Sequence, residues 1–245
     1  MRMKLLLDVG NSRCKWGVLH DDALQHMNAL EYTQNDTHVR VNECLQAINL
    51  EGIEAVHVVS VLGDEFEKMF IEKLNIPVTF YRSQKHAYAI NLKYANVNTY
   101  GNDRYAALVA AHDQISGGKI VVDCGTATTI DVIDGQGDHQ GGLIMPGAHL
   151  MVESLVNKTN GITFDRATHT INLLCDNTQE AVYSGCVAQY QKGVLGIIQQ
   201  LANENNYKIV LTGGESKLLD MTKVNATDCI HRPHLVLEGL QIMQG

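Results

Sequence analysis

The sequence lacks a Cys-x-x-Cys pair and any concentrated run of lysine and arginine. Its six cysteines fall in apparent strands and helices as often as in loops, and we interpret them as cytosolic thiols. A formal net charge of −8 without a basic run argues against a surface that binds nucleic acid. Of eleven histidines only His231 and His234 are closely spaced, so a metal site there is not favoured.

Long apolar runs are also missing. No stretch approaches the roughly 18 apolar residues of a membrane helix, so no membrane span or membrane partner is expected. The apolar core after Met1-Arg2-Met3-Lys4 is too short for a signal peptide, which predicts a cytoplasmic location. The balance of 45% hydrophobic and 19% charged residues is that of an ordinary globular protein.

A polar, glycine-bearing turn lies between two apolar runs near the start of the chain. Residues 4–7 and 16–19 are predicted to be neighbouring strands. An aspartate at the mouth of a buried strand, followed by glycine, hydroxyl and amide groups, suits a polyphosphate with Mg²⁺. The alternative is an ordinary hairpin whose turn residues serve only the backbone. The candidate ATP-binding residues are Asp8, Val9, Gly10, Asn11, Ser12, Arg13, Cys14 and Lys15.

This pattern recurs in the second half of the chain. Laid without gaps, residues 4–19 match residues 119–134, which pairs Asp8 with Asp123 and places strand on strand. The same alignment sets Ile130 in the place of Lys15, so the lysine is the least certain member of the first hairpin. The repeat predicts two duplicated domains, residues 1–115 and 116–245, each with a phosphate hairpin.

A third glycine motif follows an apolar run at residues 208–211. It reads Thr212-Gly213-Gly214-Glu215-Ser216, and its paired glycines let the backbone pass close to a flat ring or a ribose. Alone it is more often a plain strand-to-helix turn. Because it follows two Asp-x-Gly hairpins along the chain, it predicts a nucleoside site at Gly213 and Gly214. This Gly-Gly nucleoside motif belongs to the second predicted domain.

The acceptor is expected in residues 81–104, which have few apolar repeats and carry Tyr81, Tyr88, Tyr94 and Tyr100. The stretch ends in Gly101-Asn102-Asp103-Arg104, just before a predicted helix. Asn102 or Asp103 as the helix N-cap is one interpretation. The other is that Asp103 takes a proton from an alcohol, since phosphoryl transfer needs an ionised carboxylate and Arg104 favours that form.

The remaining patterns predict the order of elements. Three strands, a helix, a strand, a helix and a strand resemble the ribonuclease-H-like unit of actin-like folds. Helices are predicted over residues 37–49, 64–74, 149–156, 177–203 and 235–243. Asn35-Asp36-Thr37 supplies N-cap residues for the first of these helices, and Asn177-Thr178-Gln179-Glu180 is a capping-box pattern at the start of the fourth. Gly185, Gly193 and Gly196 within one helix suggest tight helix packing. The predicted fold class is α/β, with duplicated ribonuclease-H-like (actin-like ATPase) domains and mixed sheets flanked by helices.

Over nearly its whole length the chain resembles the type III pantothenate kinases of the acetate and sugar kinase, Hsc70 and actin superfamily. The resemblance rests on motifs that are strong in this order and spacing. They are residues 8–12, 101–104 and 123–128, the glycines of residues 141–147, and Asn177-Thr178. It implies transfer of the γ-phosphoryl group of ATP to pantothenate, giving 4′-phosphopantothenate, the first step toward coenzyme A.

The resemblance also implies roles for single residues. Asp103 would be the general base, and Asp8 would hold Mg²⁺ through water. Asp123 would help bind a monovalent cation, K⁺ or NH₄⁺, and a homodimer is expected. Thr126 would contact ATP from the second hairpin. Pantothenate would be held by Tyr94, Gly101, Asn102, Asp103, Arg104 and Thr178, with the Arg104 fork suited to its carboxylate.

One departure concerns the loop after Tyr94, where Ala95-Asn96-Val97 replaces a segment in which the family often has proline. This departure puts the shape of the loop in doubt. Two other function classes stay open. One is a regulatory accessory factor of the same fold with little catalysis, and the other is an actin- or Hsc70-like ATPase. A regulatory factor with little catalysis is disfavoured because the chain keeps Asp8, Asp103, Arg104 and Asp123. An actin- or Hsc70-like ATPase is disfavoured because the 245 residues lack the large insertions of those proteins.

Overall fold

The computed structural model describes residues 3–162, 171–204, 206–224 and 228–245. Elements are numbered in chain order. The strands are β1 (Met3–Val9), β2 (Arg13–His20), β3 (Ala23–Glu31), β4 (Ile53–Ser60), β5 (Val78–Phe80), β6 (His86–Ala87), β7 (Ile90–Asn91), β8 (Lys119–Cys124), β9 (Ala127–Ile133), β10 (His139–Pro146), β11 (Lys208–Thr212) and β12 (Cys229–His231). The helices are α1 (Thr37–Ala47), α2 (Asp64–Glu72), α3 (Asn102–Gln114), α4 (Ala148–Lys158), α5 (Thr178–Glu204) and α6 (Leu235–Met243).

The first large sheet has the strand order β3-β2-β1-β4-β5. Strands β1, β2 and β3 are antiparallel neighbours, whereas β4 runs parallel to β1 and β5 runs parallel to β4. Strand β1 is central and covered on both faces, which explains why Leu5, Leu6 and Leu7 form an uninterrupted apolar run. The polar turn after β1 therefore lies where a buried strand ends.

The second large sheet repeats this order as β10-β9-β8-β11-β12. Strand β8 pairs antiparallel with β9 and parallel with β11, as β1 does with β2 and β4. Its apolar residues pack with α5, whose Val187, Val194 and Ile198 are buried in the same core. The α/β prediction of mixed sheets flanked by helices is thus confirmed, including the repeated strand order.

The described residues group into two compact units. The first contains the residues up to Ser116 together with Gly135–His139 and His234–Gly245, and the second contains Gly117–Asp134 and Gln140–Pro233. Helix α6, at the end of the chain, thus packs in the first unit, against α3. The sequence-based domains, 1–115 and 116–245, stay a prediction.

Helix boundaries follow capping residues that the sequence indicated. Asp36 is the N-cap of α1, and its side chain accepts a hydrogen bond from the Val39 amide. The side chain of Asn177 accepts one from the Glu180 amide, 3.0 Å away, at the start of α5. No helix in the described part of the chain is long and apolar enough to cross a membrane.

One interpretation of the sequence is wrong. Gly185, Gly193 and Gly196 do not mark close helix packing among the described residues, because a Cβ added at any of them would meet none of their atoms within 4 Å. All three lie on the exposed side of α5, whereas its buried side carries larger residues such as Tyr190 and Leu195. The spacing of the three glycines does not indicate which face of the helix they occupy.

Candidate active site

The first phosphate hairpin joins β1 to β2. Asp8 pairs across the sheet with Lys15, and Val9 pairs with Cys14, so residues 10–13 form the turn. The amide of Gly10 donates to the Arg13 carbonyl oxygen at 3.0 Å, which closes the turn. The Asp8 carboxylate is largely buried, and its Oδ2 lies 4.0 Å from the Lys15 ammonium. A carboxylate and a cation therefore stand side by side at the end of a rigid strand.

The turn itself is held from the side of α1 and β3. Arg40 donates to the Asn11 carbonyl oxygen at 2.7 Å, and the Tyr32 amide donates to that of Ser12 at 3.0 Å. Arg13 forms an ion pair with Glu31 at 2.6 Å. The predicted ATP-binding residues Val9 and Cys14 are fully buried, and their role stays a prediction.

The second hairpin has a shorter turn than the first. Asp123 pairs with Thr129, and Cys124 pairs with Thr128, which leaves residues 125–127 as the turn, one fewer than in the first copy. The gapless match of Lys15 with Ile130 is therefore wrong beyond the turn. Thr129 occupies the cross-strand position that Lys15 holds in the first hairpin.

Loops of the second unit surround this turn. The Glu215 amide donates to the Cys124 carbonyl oxygen, and the Gly147 amide donates to that of Thr126, each at 2.9 Å. Thr126 and Gly214 are exposed. Gly213 has φ +85°, and a Cβ there would lie 2.4 Å from the Cys124 oxygen. Only glycine allows this approach, so the predicted nucleoside loop packs on the second hairpin through its main chain.

Glu215 is a residue of this loop whose role the sequence did not reveal. Its Oε2 accepts a hydrogen bond from the Ala148 amide at 2.7 Å, and its Oε1 accepts one from the His149 amide at 3.2 Å. Oε1 also lies 2.8 Å from His149 Nδ1. Glu215 thus caps the N-terminus of α4 from a distant part of the chain, where a carboxylate is electrostatically favoured.

The acceptor motif begins α3. The prediction that Asn102 or Asp103 caps this helix is wrong, because the N-cap is Gly101 and both residues lie in the first turn. The Asn102 side chain is used elsewhere: its Oδ1 accepts from the Ser83 amide at 3.0 Å and its Nδ2 donates to the Ser60 carbonyl oxygen at 2.9 Å. Asn102 therefore fixes the start of α3 to the end of β4. Asp103 Oδ1 accepts from the Arg104 amide at 2.7 Å.

Arg104 is buried among aromatic rings. Its Nη1 lies 3.4 Å from the Tyr94 hydroxyl oxygen, and its guanidinium carbon lies 4.4 Å from the centre of the Tyr100 ring. His139, far away in sequence, packs against both tyrosines. Tyr94, Asp103 and Arg104 are thus brought together as predicted residues. His139, the first residue of β10, was missed because the sequence around it carries no local pattern.

Thr178 is the first residue of α5 in the second unit and is exposed. Its hydroxyl lies at a helix N-terminus, beside the capping side chain of Asn177. This is a setting that favours contact with an anion. The substrate role of Thr178 stays a prediction.

The donor set for a metal is sparse. Among the described residues no three His, Cys, Asp or Glu side chains gather as a metal-binding group. The largely buried Asp8 carboxylate, beside the first turn, offers the oxygen ligand that Mg²⁺ prefers and fits an ion that arrives with ATP and keeps part of its water shell.

Comparison with known proteins decides the family. A model of the type III pantothenate kinase family matches residues 4–200. A type III pantothenate kinase from Azoarcus sp. (strain BH72) is 32% identical over 249 residues, covering 98% of this chain and 90% of that protein. The chain belongs to the type III pantothenate kinase family.

Solved structures share the fold at lower identity. A conserved Baf family protein from Campylobacter jejuni is 20% identical with a TM-score of 0.59, over 98% of this chain and 96% of that one. A ROK family glucokinase from Streptomyces griseus, solved with glucose and AMPPNP, is 12% identical with a TM-score of 0.57, over 99% of this chain and 100% of that one. These likenesses show that the chain shares its fold with both proteins.

Within this pantothenate kinase family, the departure after Tyr94 has a clear local outcome. The Asn96 side chain accepts a hydrogen bond from the Asn98 amide at 3.1 Å and caps a short 3₁₀ turn over Val97–Thr99. The Tyr100 amide then donates to the Val97 carbonyl oxygen at 3.0 Å. A capped turn, rather than proline, shapes the loop of this type III pantothenate kinase and sets the position of Tyr100.

Proposed function

We propose that the protein transfers the γ-phosphoryl group of ATP to the primary hydroxyl of pantothenate, giving 4′-phosphopantothenate at the first step of coenzyme A synthesis. The observation that carries the proposal is the acceptor motif at the start of α3, where Asp103 and Arg104 follow each other beside Tyr94 in a member of this kinase family. Pantothenate carries a carboxylate and a primary hydroxyl. A carboxylate base can accept the proton of the hydroxyl, and a buried guanidinium can bind the carboxylate.

Each residue has a separate task in this reaction. Arg104 binds the carboxylate of pantothenate and so fixes where the hydroxyl lies, with Tyr94, Gly101 and Thr178 as further contacts. Asp103 accepts the hydroxyl proton as the oxygen attacks phosphorus. Positioning of this kind supplies most of the rate enhancement in phosphoryl transfer.

The nucleotide is held by the hairpins and the glycine loop. Asp8 would hold the Mg²⁺ that arrives with ATP, and the main chain of the Gly10 turn would lie close to the phosphates. The second hairpin contributes Thr126, and Gly213 and Gly214 leave room for the nucleoside. When bound, Mg²⁺ neutralises phosphate charge.

One assay separates this function from its alternatives. Purified protein is given ATP, Mg²⁺ and K⁺, with and without pantothenate, and ADP release is measured. Release that depends on pantothenate supports the kinase, whereas release indifferent to pantothenate supports an ATPase of the same fold. No release in either case supports a regulatory protein.

Asp103→Asn tests the base. The variant should lose about 100-fold or more in kcat, because general-base catalysis contributes on the order of 10²–10⁴, while its unfolding temperature stays that of the wild type. Asp113→Asn is the matched control, since Asp113 is exposed on the same helix. Full activity in Asp103→Asn would show that Asp103 serves only the first turn of α3.

Asp123 is the proposed ligand of a monovalent cation. It is the penultimate residue of β8 and is half-buried beside the second turn, and a carboxylate oxygen suits a hard cation. Activity should fall when Na⁺ or a bulky organic cation replaces K⁺ or NH₄⁺. Asp123→Asn should remove that difference between cations, and an unchanged cation dependence would refute the assignment.

A homodimer in the cytoplasm completes the proposal. Leu143 and Ile144 on β10 are 48% and 63% exposed, and Leu150 and Leu155 on α4 are also exposed, which gives the second unit apolar surface suited to a second copy. Light scattering should report a dimer that Ile144→Lys weakens. The control Ile71→Lys changes an exposed residue of α2 and should leave the mass unchanged.

A further inference from the structure

Arg104 rests on a surface made of aromatic rings. Its side chain is 6% exposed, and its guanidinium carbon lies 4.4 Å from the Tyr100 ring centre and 5.8 Å from that of Tyr94. A guanidinium that stacks on a ring is attracted by the ring's electron-rich face and keeps its N–H groups directed outward along its edges. The rings therefore restrict the orientation of the group that is proposed to bind the acceptor.

We call the cluster of Tyr94, Tyr100 and His139 the aromatic seat: the two tyrosines lie against Arg104, and His139 packs against both tyrosines. The rings of Tyr94 and Tyr100 meet edge to face at 4.7 Å. The His139 ring lies 5.5 Å from that of Tyr100 and 6.1 Å from that of Tyr94. Tyr100 and His139 are only 2% and 3% exposed. Neither ring presents a surface to solvent: Tyr100 lies against Arg104, and His139 lies against the two tyrosines.

The two tyrosines are anchored through their backbones. The Tyr100 carbonyl oxygen accepts a hydrogen bond from the Ser83 hydroxyl at 3.0 Å, and its amide is bonded within the capped 3₁₀ turn. The Lys85 ammonium donates to the carbonyl oxygens of Leu92 and Tyr94, at 2.6 and 2.9 Å. These hydrogen bonds limit how far the two tyrosine rings can move when Arg104 binds a ligand.

His139 is brought to the seat by a separate segment of the first unit. The Asn91 amide donates to the Gly137 carbonyl oxygen at 2.9 Å, and its side chain donates to Asp138 at 2.8 Å. Gly137 has φ +92°, and a Cβ there would lie 1.9 Å from the Ala89 oxygen. Only glycine fits at this contact, so His139 is delivered by a segment tied to β7 at a fixed distance.

We propose that Tyr100 and His139 are positioning residues that hold the Arg104 guanidinium for a carboxylate, and that the aromatic seat thereby makes the enzyme select the acid over uncharged acceptors. The inference rests on the proposed function, because it assigns Arg104 to the acceptor carboxylate. A guanidinium that is already held in its binding orientation loses little conformational entropy when a carboxylate binds, so more of the interaction energy contributes to affinity. Without the seat, Arg104 would adopt several rotamers and discriminate less well.

The test compares pantothenate with its uncharged primary amide as acceptors. Tyr100→Leu should raise KM for pantothenate about tenfold, as expected for loss of one desolvated cation–π contact. Its kcat and its KM for ATP should change by less than about twofold, and KM for the amide should not rise. Tyr100→Phe keeps the ring and should restore most of the discrimination. His139→Leu should fall between the two.

A double-mutant cycle shows whether Tyr100 acts through Arg104. In an Arg104→Ala background, Tyr100→Leu should cause no further loss of pantothenate binding by calorimetry. Tyr207→Leu, which removes a tyrosine in the second unit, is the matched control and should keep wild-type discrimination. Equal losses for acid and amide in Tyr100→Leu, or additive losses in the cycle, would overturn the inference. Failure of the proposed function is seen separately, in wild-type protein that neither binds nor phosphorylates pantothenate.

Discussion

The two hairpins share an aspartate, a glycine and a strand order, but they are held in different ways. The turn of the first is fixed by side chains and main chain from α1 and β3, through Arg40, Tyr32 and Glu31. The turn of the second is fixed by main-chain groups of Gly147 and Glu215. The same motif is thus stabilised by side chains in one unit and by close-packed loops in the other.

This difference in support predicts different consequences for substitutions in the two hairpins. In the first hairpin a Cβ at Gly10 would lie 3.2 Å from the Arg13 oxygen, a tight but relievable contact. On the loop that packs against the second hairpin, a Cβ at Gly213 would meet Cys124 and Asp123 at 2.4–2.5 Å. Substitutions in the first copy should therefore change chemistry, and substitutions around the second copy should change folding and nucleotide affinity together.

The largest expected effect comes from the carboxylate of the first copy. Asp8→Asn keeps the size of the side chain but removes the charge that holds Mg²⁺, so kcat/KM for ATP should fall about 100-fold or more. The measurement is pantothenate-dependent ADP release at several Mg²⁺ concentrations. Asp36→Asn is the control, because asparagine caps α1 as well as aspartate does. Wild-type activity of Asp8→Asn would place the metal site elsewhere.

Next in size is the glycine pair. Gly213→Ala should destabilise the protein by about 2–4 kcal/mol, because it combines a positive φ with a backbone clash. Gly10→Ala should cost less than about 1 kcal/mol, since its single close contact can relax. Chemical denaturation measures both. Equal costs would show that the Gly213 loop is no more tightly packed against the second hairpin than the Gly10 turn is within the first.

Glu215 allows a milder test of the second copy. Glutamine can accept from only one of the Ala148 and His149 amides and places an NH₂ group against the other, so the tie to α4 is weakened. KM for ATP should rise about tenfold with little change in KM for pantothenate.

Asp220→Asn controls for this prediction, because Asp220 caps a 3₁₀ turn in the same unit through the Thr222 amide. If both variants lower thermal stability equally and neither changes KM for ATP, Glu215 is only a helix cap.

The sequence predicted what depends on local pattern. Strands β1 and β8 were visible because both are buried apolar runs ending in an aspartate, and Asn177 was visible as a cap because it precedes a helical period. His139 and Glu215 were not visible. Each acts on residues far away along the chain, and neither position carries a periodic or turn signal. The face of α5 that holds Gly193 was also misjudged, because spacing alone does not say which side of a helix is covered.

The smallest effect sharpens the comparison at one position. Lys15 and Thr129 occupy the same cross-strand position in the two hairpins, so Lys15→Thr gives the first hairpin the residue that the second has there. The Lys15–Asp8 pair is 4.0 Å apart and Lys15 is 22% exposed, so its loss should raise KM for ATP only about threefold. The increase should shrink as ionic strength rises, because salt screens a partly exposed charge. A loss above about 30-fold that is insensitive to salt would instead show that Lys15 contacts the transferred phosphoryl group, a role with no counterpart in the second hairpin.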